Sequence, residues 1–160
     1  MLMSLFPVFG FSTLGTDRMQ LKNSVSFLVL IGICLSVSAL GGWITHTSVN
    51  DWYQTLHKPP LNPPDWLFAP TWITLYVMMA IAAWRVWKRS GGHPRRKAML
   101  AFVIQLTLNL AWSFFFFGAK SPGMAAIEIF ALWFAIISSL ILFWRIDRLA
   151  GWLMCPYLFW

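Results

Sequence analysis

The sequence predicts an all-α integral membrane protein, a bundle of five transmembrane helices whose fifth reads as truncated. Three observations predict it. Hydrophobic residues make up 59% of the 160 and charged residues only 11%, where a soluble domain carries about a quarter charged residues. The apolar residues fall in runs long enough, at about 1.5 Å rise per residue, to cross a hydrocarbon core of roughly 30 Å. The 12 Lys and Arg outnumber the 5 Asp and Glu, and they gather between those runs; this placement reads as membrane topology and excludes nucleic acid as the reason for the basic charge. The mean hydropathy of +0.66 agrees.

Residues 1–24 form an N-terminal extension that the sequence does not determine: it lacks the basic n-region and cleavage site of a signal peptide, and Met19 is as good a start as Met1. Residues 25–160 read as a single membrane domain. Its first span, 25–44, is an uncharged run with small residues at Gly32, Ser36, Ser38, Gly41 and Gly42, a face that lets another helix approach closely. A polar loop over 45–65 carries two proline pairs, Pro59-Pro60 and Pro63-Pro64, and Asp65 is placed to N-cap the second span, 66–87. Pro70 falls in the first turns of that span, where a missing N–H costs least. Residues 88–97, KRSGGHPRRK, read as a basic turn broken by Gly91, Gly92 and Pro94. The third span is expected over 98–118 and the fourth over 124–144, joined by AKSPG. A fifth stretch, 149–160, has 12 residues, about 18 Å of helix, too short to cross. Cys34 and Cys155 stand alone in apolar runs and read as packing residues.

Ten Lys and Arg fall on one side of these spans and only Lys58 and Lys120 on the other. The positive-inside rule then predicts the N-terminus inside and the proline-rich loop outside. Seven of the 11 tryptophans take interfacial depths on this scheme: Trp43, Trp52 and Trp66 outside, and Trp84, Trp87, Trp144 and Trp152 inside. Trp72, Trp112, Trp133 and Trp160 fall deeper.

Polar residues accompany them. Gln105, Asn109, Trp112 and Phe116 follow the spacing of one helical face, with Ser113 beside it. Amides lack partners in lipid, so this face looks into the bundle, either to bond a neighbouring helix or to meet a ligand. Glu128 is the acidic residue inside a span and is a functional candidate on that ground; its structural alternative is an ion pair with Lys58 or Lys120. The histidines lie in loops, with no metal or triad spacing and no glycine-rich phosphate loop. The pattern describes an aromatic pocket with a few amides beneath a proline-stiffened loop, suited to a flat, largely apolar molecule.

The segments WYQTLHKPPLNPPDW, FAPTWITLY, LNLAWSFFFFG, AIEIFALWFAI and AGWLMCPYLFW resemble the TspO/MBR family, the tryptophan-rich sensory proteins of bacteria related to the mitochondrial translocator protein or peripheral-type benzodiazepine receptor. The resemblance implies a homodimeric five-helix bundle that needs no cofactor and binds porphyrins such as protoporphyrin IX. Carried over position by position, it implies a pocket lined by Tyr53, Trp72, Asn109, Trp112 and Trp160, with Trp133 similar to a family aromatic and Trp72 and Trp160 matching tryptophans linked to light-dependent porphyrin breakdown. The sterol motif of animal members would lie beyond Trp160. Three functions stay open: a membrane receptor for tetrapyrroles, an enzyme degrading porphyrin photochemically, and a transporter of porphyrin, lipid or sterol. The absence of inverted repeats and of a discontinuous helix pair speaks against the last.

Overall fold

The computed structural model describes residues 12–57 and 63–160, with side chains from Arg18 onward except that of Met19. Every regular element among them is helical. Helix α1 is Ser12–Val49, followed by a 3-10 turn at Trp52–Thr55; α2 is Asp65–Arg89, α3 Gly92–Ser113, α4 Pro122–Ile146 and α5 Arg148–Phe159. A π turn, Phe114–Gly118, continues α3. The long helices α1 to α4 are apolar enough to cross a membrane, and they alternate in direction. The 12 residues of α5 fold back along the bundle without crossing it. Of the expected proline-rich lid, residues 58–62 fall outside the described residues.

Helix α1 runs well beyond the expected 25–44, taking in residues 12–24 of the N-terminal extension and 45–49 of the expected loop; two further boundaries differ, each for a local reason. Asp65 does not cap α2. Pro64 takes the N-cap position in an extended conformation and Asp65 is the first helical residue, where its carboxylate accepts a hydrogen bond from Gln54 Nε2 at 3.4 Å and ties the 3-10 turn to α2. The basic turn is also far shorter than ten residues, because α2 runs to Arg89 and α3 starts at Gly92. Pro94 does not break α3, since a first-turn N–H has no intrahelical acceptor to lose. Gly92, at φ 59°, supplies the left-handed residue that so tight a reversal needs. The cations of KRSGGHPRRK therefore sit on two helix ends.

The core is built mainly by α2, whose Leu75, Tyr76, Met79, Ala80, Ala82, Ala83 and Val86 are buried. Three alanines on that face let α2 approach its neighbours, while Phe102 of α3 stacks on Phe143 of α4 with ring centroids 5.6 Å apart. Helix α1 is the outlier: among the described residues it gives Cys34 to the buried apolar core, with Leu30, Ile31 and Val37 packed partly buried against it. Its small-residue face closes where Gly41 meets Ser113, whose Oγ would lie 3.4 Å from an added Cβ, whereas Gly32 faces open space.

At the end opposite the lid, Asp147 joins three helices. It caps α5 by accepting from the Leu149 N–H at 3.1 Å, and it pairs with Arg85 Nε at 2.6 Å and Arg89 Nη1 at 2.8 Å on α2. Burial pushes this carboxyl up, but the Arg85 hydrogen bond, the Leu149 N–H and the charges of Arg85 and Arg89 outweigh it and hold the group below its ordinary value of 3.8.

Candidate ligand site

The site grows from Asn109, buried on α3. An amide in an apolar bundle must find partners, and Asn109 finds two phenols. Its Oδ1 accepts from the Tyr76 hydroxyl of α2, and its Nδ2 donates to the Tyr157 hydroxyl of α5 at 2.8 Å. This three-residue chain crosses the bundle and joins helices far apart in sequence. Trp72 lies one turn before Tyr76 and packs on both phenols, 5.9 Å from the Tyr76 ring and 6.2 Å from that of Tyr157.

Toward the lid, α3 ends in aromatic residues. Trp112 and Phe116 stack nearly parallel, centroids 5.1 Å apart at 12°. The π turn that follows carries the Phe run FFFFG: the Ala119 N–H reaches back to Phe114 O at 2.7 Å and the Ser121 N–H to Phe115 O at 3.0 Å. Such wide turns change the angular offset between successive side chains. Phe116 and Phe117 consequently meet edge-on at 4.8 Å, and both contact Tyr53 of the 3-10 turn, with Trp52 on Phe116 as well. Ser48 of α1 donates to Phe117 O at 2.8 Å and fixes the turn against the first helix. The result is an aromatic roof over the Tyr76–Asn109–Tyr157 chain.

Trp160 stands at the side of this assembly. It meets Phe68 at 6.1 Å and lines an open groove of about 360 Å³ between α2 and α5, with Pro70, Thr71, Thr74, Leu75, Met78 and Pro156. Tyr53, Trp72, Asn109, Trp112 and Phe116 are thus gathered, with Trp160 at the mouth of the groove. Gln105 lies one turn deeper than Asn109, buried, its Nε2 on the Met79 sulfur at 3.7 Å and its Oε1 without a hydrogen-bond partner among the described residues. Trp133 is on the other face of α4, 47% exposed, with its ring against Phe134. Tyr76, Phe117 and Tyr157 complete the site and were not among the residues expected. The signal for two of them was present, since Tyr76 is four residues after Trp72 and Tyr157 three before Trp160.

Glu128 lies on the inward stripe of α4 with Ala125, Leu132, Ile136, Ser139 and Phe143. Neither carboxyl oxygen has a hydrogen-bond partner among the described residues, and Lys120 forms no ion pair with it; Lys58 is outside those residues. No group of three His, Cys, Asp or Glu able to hold a metal occurs among the described residues. Aromatic walls, one amide and two phenols equip the site to sandwich a flat apolar molecule and fix its polar edge.

Comparison with known proteins agrees on one family. The TspO/MBR family matches residues 30–160. The chain is 38% identical over 143 residues to the tryptophan-rich protein TspO of Chlorobaculum tepidum, covering 87% of this chain and 89% of that one. It is 32% identical to the tryptophan-rich sensory protein of Cereibacter sphaeroides, over 84% of this chain and 81% of the relative. To the human translocator protein it is 33% identical, over 76% and 73%.

Proposed function

The chain belongs to the TspO/MBR family of membrane proteins, and on that premise we propose that it is a receptor for porphyrins of the protoporphyrin IX type, with a sensory or regulatory role. The observation that carries the reading is the Tyr76–Asn109–Tyr157 chain beneath the roof of Tyr53, Trp112, Phe116 and Phe117. A tetrapyrrole is a broad aromatic disc with polar groups confined to its edge and centre. Indole and phenyl faces supply the stacking area, and the amide and phenols supply hydrogen bonds whose worth rises where water is excluded. The name of the Cereibacter sphaeroides relative supports the sensory role. The receptor is read as a homodimer with its N-terminus inside and its lid outside, in line with the charge asymmetry. Titration with protoporphyrin IX, followed by ligand absorbance, tests the site: Trp72→Phe combined with Trp160→Phe weakens binding about tenfold if each indole is worth roughly 0.5–1.5 kcal/mol beyond area burial. Binding equal to that of the parent would move the ligand elsewhere.

One observation favours a photochemical reading beside it. Trp72 contacts two phenols that are linked by a buried amide, an arrangement in which an indole oxidised by an excited ligand has reductants within van der Waals reach. The test is the decay of bound porphyrin absorbance under light. Bleaching that persists unchanged in Trp72→Phe removes an enzymatic role for this indole.

A further inference from the structure

A second groove opens at the basic end of the bundle, on the seam between α1 and α2. It has a volume of about 290 Å³ and is lined by Ser24, Phe27, Leu28 and Trp84, at the small end of the range of about 300–1,000 Å³ for ligand clefts. Its floor is held rigidly. Trp84 Nε1 donates to the Asn23 carbonyl at 2.9 Å across the two helices, and Phe27 meets the indole edge-on at 5.4 Å. The ring cannot rotate without giving up both contacts.

A cation stands over that floor. Lys88, one turn beyond Trp84 on α2, holds its Nζ 5.1 Å from the indole centroid. Lysine stems run along apolar surface and deliver the ammonium to the interface. Lys88 forms no ion pair among the described residues. Asp147, the buried acid at this end, already has both oxygens committed to Arg85 and Arg89. Ten Lys and Arg stand at this end against Asp17 and Asp147, so the compensating negative charge must come from outside the chain.

We propose that this groove holds an acyl chain of an anionic phospholipid whose headgroup phosphate is met by Lys88. The apolar walls decide for a lipid over a soluble anion, which would have no use for Phe27 and for Leu28, 65% exposed on the lipid-facing surface. Net charge decides for an anionic over a zwitterionic headgroup, because Lys88, without a carboxylate partner among the described residues and at the end richest in Lys and Arg, favours a lipid that carries no cation of its own. The site is independent of the tetrapyrrole pocket and does not rest on it.

The full chain in nanodiscs of equimolar phosphatidylglycerol and phosphatidylcholine, released into a native mass spectrometer, reports which lipid stays bound. The wild type retains phosphatidylglycerol in preference. Lys88→Gln lowers that preference roughly fivefold, the ratio given by about 1 kcal/mol per basic residue near an anionic surface. Lys120→Gln, at the other end, leaves it unchanged. Ser24→Trp fills the groove and lowers retention of both lipids; Ser24→Leu serves if the larger substitution yields no helical protein. Retention in Lys88→Gln equal to the wild type, or in both Ser24 variants equal to it, overturns the proposal. So does soluble glycerol phosphate that displaces phosphatidylglycerol and binds Ser24→Leu as tightly as the wild type, which would assign Lys88 to free anions.

Discussion

Asn109 shows how much one amide can hold in an apolar bundle. Replaced by leucine of similar volume, it leaves the Tyr76 and Tyr157 hydroxyls buried without their shared partner. Hydrogen bonds between membrane helices average about 0.6 kcal/mol, while a buried hydroxyl stripped of its partner costs about 1–3 kcal/mol. Asn109→Leu should therefore lower stability by about 1–3 kcal/mol, seen as a fall of several degrees in Tm in detergent, with Tyr76→Phe milder because it orphans one buried group, Asn109 Oδ1, where Asn109→Leu orphans two hydroxyls. Asp147 answers to pH instead. Its folded carboxyl is held below 3.8, so its contribution is fully present above about pH 4 and is lost as pH falls toward and through the lowered folded value. Asp147→Ala removes a charge-assisted bond to Arg85, which is 21% exposed and so is not left fully buried; it should cost about 1.5–3 kcal/mol near neutrality and should flatten the acid limb of a stability–pH curve. These two residues were unequally legible. Asn109 was visible from its periodicity, but Asp147 gave no sign of its arginines, because a bond from 147 to 85 depends on the packing of helices and not on any local pattern.

At the scale of the element, the joint between α4 and α5 is the most tightly built. Gly151 faces Trp144 so closely that an added Cβ would lie 2.9 Å from Trp144 Cδ2 and 3.0 Å from its Cβ. Gly151→Ala must then push the indole off Trp152, whose ring centroid is 5.0 Å away, and overpacking of this kind costs about 1–3 kcal/mol; chemical denaturation against the wild type would read it. The π turn is testable by deletion. Removing Phe115 allows α3 to close in regular α geometry and swings Phe116 and Phe117 by about 100°. Circular dichroism should be unchanged while porphyrin absorbance shifts are lost. The spans themselves were readable because length and apolarity are local properties. The π turn was not, since FFFFG is equally compatible with plain α-helix, and the choice depends on Ser48 and Tyr53 meeting it from other elements. The two-residue α2–α3 turn was missed because glycines and proline so close together read as breakers, although at a helix start they are permissive.

For the whole molecule, ten of the 12 Lys and Arg occupy one end, and the charge rule places that end inside. Single cysteines at Arg95 and Lys120, in a chain otherwise carrying Cys34→Ala and Cys155→Ala, should label from opposite faces of a sealed vesicle with a membrane-impermeant maleimide; labelling of both from one side would reject the orientation. Bundle topology was open to sequence reading, because four long apolar runs with basic residues at one end fix alternating helices. Which helix walls faced inward was less so, and Trp133, with a depth that suited the pocket, points outward because depth carries no azimuth. The ends also differ mechanically. Asp147 clamps α2, α4 and α5 together at the basic end, whereas the described contacts of the lid end are ring edges and hydrogen bonds such as Ser48 to Phe117 and Gln54 to Asp65. A bundle riveted at its base is built like a tuning fork, its charged clamp at the stem and its ring contacts and hydrogen bonds at the tips. On the proposed porphyrin reading, the expected point of entry for so wide a ligand is therefore the lid end, the one farther from Asp147.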